Sequence, residues 1–138
     1  MQNTIESIWD FPAADAALPE AQARLEEALE EAGFSAKVIL QFSVSLEEMF
    51  VNVAHYAYPD GNGSVRMVLS VSPEGARLTL IDSGIPFNPL EAAAPDIDLP
   101  AEDRPIGGLG IFMTRKLMDR VKYCREDGRN VLTLEKDI

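Results

Sequence analysis

Cysteine and long apolar runs are scarce in this sequence of 138 residues. Its one cysteine, Cys124, cannot form a disulfide within the chain, which fits a reducing compartment. No apolar run approaches the ~20 residues that a bilayer requires, and the first residues lack the basic and then apolar pattern of a signal peptide. We therefore expect a cytoplasmic protein without a membrane segment.

Basic residues are also few. The chain has 12 Lys and Arg against 23 Asp and Glu, for a net charge of −11. This balance argues against a nucleic-acid surface, because affinity for a phosphate backbone depends on clustered Lys and Arg. Binding of a single nucleotide remains open, since a few backbone amides and one metal ion neutralise its phosphates locally.

The sequence also lacks the residues that nucleophilic hydrolases use. It has no GxSxG motif, and no second histidine is available to activate Cys124 as a nucleophile. The one histidine, His55, has no Cys or His partner at metal-ligand spacing. We interpret His55 as a structural hydrogen-bonding residue near a helix end.

The length of 138 residues predicts one domain over residues 1–138. Apolar residues recur at helical spacing in three segments and alternate at the period of a strand in others. Helices are predicted over 18–32, 35–58 and 109–119, and strands over 3–11, 65–71, 77–81, 121–125 and 130–135. These elements predict an α+β two-layer sandwich, with helices on one face of a mostly antiparallel sheet.

The stretch from Ser45 to His55 combines an apolar helix face with a polar one. Glu48, Asn52 and His55 are spaced by four and three residues and so share one side of the helix. The side-chain oxygen of Asn52 suits Mg²⁺, which prefers oxygen ligands. Glu48 can ligate a metal indirectly or take a proton from an attacking hydroxyl. A solvent-exposed helix face explains the same residues equally well when they are considered alone.

Two glycine-containing segments follow, at 82–84 and 107–110. Asp82 ends a predicted strand, and Gly84 lets the backbone approach a ligand closely. Gly107, Gly108 and Gly110 open a helix whose exposed amides and positive end suit phosphates. Taken singly, the first segment is more typical of a plain turn, and the second is a weak signal that a tightly packed loop also explains. Between them, residues 88–106 contain four prolines and five acidic residues and little periodicity, which predicts a functional loop or lid.

Together, these segments resemble the ATP-binding fold of the GHKL superfamily (gyrase, Hsp90, histidine kinases, MutL), and within it the anti-sigma-factor serine/threonine kinases. The segment from Glu48 to His55 resembles the N box. Asp82-Ser83-Gly84-Ile85-Pro86-Phe87 resembles the first glycine box, and Gly107-Gly108-Leu109-Gly110 resembles the second. Their order and separation in so short a chain make the resemblance specific.

The resemblance implies a role for each matching residue. Asn52 would bind Mg²⁺ that bridges the triphosphate, and Glu48 would be the general base. Asp82 would accept a hydrogen bond from the adenine amino group, supported by Gly84. The phosphates would lie beside Gly107, Gly108, Leu109 and Gly110 beneath an ATP lid at 88–106, from which Arg104 would reach the γ-phosphate.

The implied function is that of an ATP- and Mg²⁺-dependent protein kinase. It would phosphorylate a serine or threonine of an anti-anti-sigma (STAS-domain) protein and alternately sequester a sigma factor. Two alternatives stay open at this point: a non-catalytic ATP-binding module that switches partners by nucleotide state, and a nucleotide-free structural adaptor. A homodimer is an open alternative to a monomer.

Overall fold

An antiparallel sheet packed against helices forms the protein in the computed structural model, which describes residues 4–91 and 108–138. The strands are β1 (Ile5–Pro12), β2 (Ser64–Ser72), β3 (Gly75–Asp82), β4 (Arg120–Glu126) and β5 (Arg129–Asp137). The helices are α1 (Leu18–Glu31), α2 (Ala36–Asn52) and α3 (Gly108–Leu117). Short 3₁₀ turns lie at Asp15–Ala17 and Pro89–Glu91, and a π-helical turn at Val53–Ala57.

The strands lie in the order β1-β2-β3-β5-β4 within the described residues, and each neighbouring pair is antiparallel. Side chains on one face form rows across the sheet, because residues in register point to the same side. One such row contains Trp9, Met67, Leu80, Leu132 and Tyr123. Its three central members are at most 5% exposed, so this face forms the floor of the core.

The helices cover that floor with their apolar faces. Leu25 and Leu29 of α1 and Phe42 and Met49 of α2 are fully buried, at the four-residue and seven-residue spacings of an amphipathic helix. Helix α2 begins where Ser35 caps it, since the Ser35 hydroxyl accepts a hydrogen bond of 3.3 Å from the backbone N–H of Val38. The π-helical turn that follows α2 contacts the loop after the central strand β3, where Asp82 lies.

The predicted α+β sandwich with helices on one face is confirmed, and each predicted element is present with ends shifted by a few residues. One detail differs. The helix expected to continue to about residue 58 is α-helical only to Asn52 and then widens into the π-helical turn. Gly107, Arg104 and all but the first residues of the predicted lid lie outside the described residues. No helix among those described is long and apolar enough to cross a membrane.

Candidate functional site

Asn52 and Glu48 are bonded to each other on the last turn of α2. The Asn52 side-chain amide donates to the Glu48 backbone carbonyl at 2.7 Å and to Glu48 Oε1 at 3.1 Å. Asn52 is only 7% exposed, so its orientation is fixed by burial and by these two bonds. Both bonds use the amide nitrogen, and in the described residues no donor occupies Asn52 Oδ1. That oxygen is available to a ligand.

Helix α3 starts beside this pair. Gly108 is its first residue, and Gly110 lies so close to Glu48 that a Cβ added to Gly110 would overlap the Glu48 carboxylate. The N–H groups of the first helical turn have no partner within the helix and carry a partial positive charge. Glu48 therefore lies at an anion-attracting helix terminus. Leu109 lies in the same turn, and its side chain is outside the described set.

Asp82 is the last residue of β3 and is 4% exposed. Its Oδ1 accepts a hydrogen bond of 2.9 Å from the Gly84 backbone N–H, which closes a tight turn. Gly84 in turn lies against Ala57 of the π-helical turn, where a Cβ would overlap the Ala57 carbonyl oxygen. The adjacent Ile85 N–H donates to that oxygen at 2.8 Å. A glycine is therefore required at position 84 for this approach.

Asn130 is a polar residue of the site that the sequence reasoning missed. It is 4% exposed, and its side-chain amide nitrogen donates to Asp82 Oδ1 and to the Ile85 carbonyl, both at 2.8 Å. Its amide oxygen accepts from the Phe87 backbone N–H at 3.1 Å and from the Tyr123 hydroxyl. Asn130 thus fixes both Asp82 and the segment that follows it.

Two tyrosines after α2 also hold this segment. The Tyr58 hydroxyl donates to the Ser64 carbonyl at 2.6 Å and accepts from the Ser83 backbone N–H at 2.9 Å. Tyr56 stacks on Phe87 with ring centroids 5.3 Å apart and an angle of 24° between the planes. These contacts join the π-helical turn to the loop after β3.

His55 has the structural role expected for it. Its Nε2 lies 2.8 and 2.9 Å from the two carboxylate oxygens of Asp15, in the 3₁₀ turn before α1. This contact connects the turn before α1 to the π-helical turn after α2.

The three predicted segments meet around the C-terminal end of α2. Gly110 contacts Glu48 on one side, and Gly84 contacts Ala57 on the other. The structure therefore brings together Glu48, Asn52, Gly110 and the turn that begins at Asp82. On one side of this site, Asp82 presents a carboxylate that accepts hydrogen bonds. On the other side, the N-terminus of α3 lies beside the Asn52 amide and the Glu48 carboxylate.

A metal ion at this site would need ligands beyond the protein. No group of three or more His, Cys, Asp or Glu residues in the described parts of the chain is arranged to hold a metal. Mg²⁺ commonly uses one or two protein oxygens and completes its shell with water and substrate phosphates. Asn52 Oδ1, which accepts from no donor in the described residues and lies next to the Glu48 carboxylate, fits that pattern.

Comparison with known proteins identifies the class. A sequence model of the family described as "Histidine kinase-like ATPase domain" matches residues 11–136, and the chain belongs to this family. The GHKL resemblance and the predicted fold are thereby confirmed.

Two relatives and one solved structure show which members of the family this chain resembles. The chain is 25% identical over 104 residues to the serine-protein kinase RsbW of Bacillus mycoides (strain KBAB4), and 27% identical over 104 residues to that of Bacillus cereus (strain ATCC 10987 / NRS 248). Each alignment covers 72% of this chain and 65% of the relative, so the chain spans about two thirds of their length. A crystal structure of the RsbU and RsbW domains of Rv1364c from Mycobacterium tuberculosis matches with a TM-score of 0.67 at 18% identity. That match covers 96% of this chain and 32% of the other and supports the fold.

Proposed function

We propose that this chain binds ATP with Mg²⁺ and transfers the γ-phosphate to a serine or threonine of a partner protein. The observation that carries the proposal is the meeting of Glu48 and Asn52 with the N-terminus of α3, while the turn after the buried Asp82 contacts Ala57, just beyond the end of α2. The family of the chain and the name of its relatives, serine-protein kinase, support the same reaction.

Asp82 supplies the adenine contact in this proposal. Its Oδ1 already accepts two hydrogen bonds, from Gly84 and Asn130. Within the described residues Oδ2 accepts none, and a carboxylate oxygen held in place by burial is suited to the exocyclic amino group of adenine. The preference for adenine over guanine then follows, because guanine carries a carbonyl at the corresponding ring position.

The phosphates occupy the other half of the site. The first-turn N–H groups of α3, from Gly108 to Gly110, donate to phosphate oxygens, with Gly107 extending the cradle. Asn52 Oδ1 would hold Mg²⁺, which would neutralise part of the phosphate charge. Residues 88–106, mostly outside the described residues, keep the predicted role of a lid, and Arg104 that of a contact to the γ-phosphate.

Glu48 acts as the general base. It accepts the proton of the attacking serine or threonine hydroxyl as the new oxygen–phosphorus bond forms, and the bond between the γ-phosphorus and the ADP oxygen breaks. Within the described residues Glu48 Oε1 accepts from Asn52, which leaves Oε2 to receive that proton. The Asn52 bond also fixes the direction in which the carboxylate points.

The substrate in this proposal is an anti-anti-sigma protein with a STAS domain, and the kinase alternately sequesters a sigma factor. The protein acts in the cytoplasm as a single domain over residues 1–138, as a monomer or a homodimer. The relatives named RsbW support this assignment over the nucleotide-free adaptor.

Phosphotransfer tests the proposal directly. Purified protein is incubated with γ-labelled ATP, Mg²⁺ and each STAS protein encoded in the same genome. The proposal requires label on a serine or threonine of at least one of them. A protein that binds ATP yet labels none would instead be a nucleotide-dependent switch.

A further inference from the structure

A groove of about 450 Å³ separates α1 from α2 at the end of the helix pair remote from the nucleotide site. Phe34 and Ile39 contribute its apolar floor, and Leu40 forms one wall. Glu26 and Glu30, one turn apart on α1, form the opposite wall. We refer to these five residues as the α1–α2 groove.

The apolar wall is unusually exposed. Leu40 is 64% exposed, and Val44, one turn further along α2, is 40% exposed. Two large aliphatic side chains at a four-residue spacing form a stripe along the helix axis. Covering such a stripe removes apolar surface from water, which is the main favourable term in association.

The opposite wall carries negative charge that the fold does not neutralise. The Ser43 hydroxyl donates to Glu26 at 2.7 Å and so orients its carboxylate. Neither Glu26 nor Glu30 has a cationic partner within residues 4–91 and 108–138. Helices α1 and α2 contain seven glutamates and two basic residues, Arg24 and Lys37, and Arg24 already lies within 3.6 Å of glutamates of α1.

We propose that the α1–α2 groove binds a basic amphipathic helix of a partner protein. The helix would place Leu- or Phe-type side chains over Leu40 and Val44 and Lys or Arg beside Glu26 and Glu30, which is how amphipathic helices occupy grooves. The chain's own segment at 92–107 is a poor occupant, because it contains four acidic residues and one arginine. A second copy, with a net charge of −11, is also disfavoured by repulsion.

This surface is separate from the nucleotide site and does not depend on the proposed kinase function. Leu40 precedes Asn52 by twelve residues on the same helix, which corresponds to about 18 Å at 1.5 Å per residue. The groove and the proposed nucleotide site therefore lie toward opposite ends of α2.

A designed peptide tests the proposal. The probe is a fluorescein-labelled helical peptide of about 18 residues, long enough to form a helix, with leucines on one face and lysines beside them. Its affinity is measured by anisotropy for the wild type, Leu40→Ser and Glu30→Lys. Because both positions are exposed, the variants should fold normally, which their melting temperatures check. Each substitution is expected to weaken binding about tenfold.

Two controls separate groove binding from general attraction to an acidic protein. Glu126→Lys, on the exposed strand β4, makes the same charge change on the other layer and is expected to alter affinity less than about twofold. A peptide of identical composition without an apolar face is expected to bind more weakly. Equal affinities of the peptide for the wild type, Leu40→Ser and Glu30→Lys would overturn the proposal. Equal affinities of the two peptides for the wild type would also overturn it.

Two further measurements test whether a second copy of the chain occupies the α1–α2 groove and whether the peptide binds away from the nucleotide site. Light scattering should show that the free protein does not form a Leu40-dependent dimer; a dimer that Leu40→Ser dissociates would assign the groove to a second copy. ATP with Mg²⁺ should leave peptide affinity unchanged, and displacement of the peptide by nucleotide would place its site elsewhere.

Discussion

Asn130 donates a hydrogen bond of 2.8 Å to Asp82 Oδ1, and the two residues are direct partners across strands β3 and β5. Both side chains are 4% exposed. A buried carboxylate needs such a donor, because its desolvation is otherwise uncompensated. The orientation of the Asp82 side chain is therefore fixed by Asn130 on the neighbouring strand as well as by Gly84 in its own turn.

Asn130→Ala is expected to destabilise the fold. It removes one of the two donors to Asp82 Oδ1 and the donor to the Ile85 carbonyl, and it also leaves the Phe87 N–H and the Tyr123 hydroxyl without the oxygen to which they donate. We therefore expect the free energy of unfolding to fall by about 2 kcal/mol. Urea denaturation measures this change. Asn62→Ala, in an exposed loop, is the matched control and should change stability by less than about 0.5 kcal/mol. Equal stabilities for the two variants would show that Asn130 does not fix the turn.

The contrast between these two residues shows what the sequence reveals. Asp82 was predicted because it ends an alternating segment and is followed by Ser83-Gly84, a local signal. Asn130 follows a turn in much the same way, but its role depends on the register that places it opposite Asp82. Register between strands separated by about fifty residues is set by packing of the whole sheet and leaves no local pattern.

The helices were predicted well because the signals that define them are local in the sequence. Periods of 3.6 residues, Gly33 after α1 and Ser35 before α2 are local signals, and the structure shows a Gly33 φ of 87° and a capping Ser35. The π-helical turn at Val53–Ala57 has no such signal. It coincides with contacts to the loop after β3, in which the Ala57 carbonyl accepts from Ile85.

Gly110→Ala tests the contact between α3 and Glu48. Alanine favours a helix over glycine by about 1 kcal/mol, but its methyl group would overlap the Glu48 carboxylate. Because the Glu48 carboxylate can swing away only by giving up its hydrogen bond to Asn52, we expect the substitution to be less favourable in the wild type than in Glu48→Ala, in which the overlap is absent. Thermal unfolding of the four proteins forms a double-mutant cycle. Additive effects would contradict the close contact.

Glu48→Gln tests the base. Glutamine preserves the shape of the side chain and can still accept a hydrogen bond from Asn52, but it cannot take up a proton. Phosphotransfer should fall ~10²–10⁴-fold, the usual contribution of a general base, while ATP binding is retained. The adjacent, exposed Glu47→Gln is the control and should remain active. Full activity in Glu48→Gln with loss in Glu47→Gln would move the role to Glu47.

Asn52→Ala should behave differently from Glu48→Gln. It removes the oxygen proposed to hold Mg²⁺, so binding of ATP and phosphotransfer should both weaken, and the difference in affinity with and without Mg²⁺ should shrink. Titration calorimetry in Mg²⁺ and in EDTA measures that difference. An unchanged Mg²⁺ dependence would exclude Asn52 as a ligand.

The ion pairs of β4 and β5 should make stability depend on pH. Hydrogen bonds from Arg120 lower the pKa of Asp137 below its usual value. A carboxylate whose pKa is lower in the folded state stabilises the fold above its unfolded pKa, and this contribution is lost as pH falls through the folded value. Arg120→Gln should therefore lower the melting temperature at pH 7, and the difference from wild type should narrow in acid. A difference that stays constant from pH 7 to about pH 3 would contradict the pairing. Arg24→Gln, whose contacts are 3.5 and 3.6 Å, should have the smaller effect at pH 7.

The most direct test of the account is calorimetric titration of the wild type and Asp82→Asn with ATP and with GTP, both with Mg²⁺. Asparagine keeps an oxygen that can accept from Gly84 and Asn130, but its amide nitrogen replaces the oxygen proposed to accept from adenine. We expect the wild type to bind ATP in preference to GTP, and we expect Asp82→Asn to weaken ATP binding by about tenfold or more and to lose the preference. Asp60→Asn, in an exposed turn, should bind as the wild type does. No heat of binding at millimolar ATP, or an Asp82→Asn variant with unchanged affinity and preference, would contradict it.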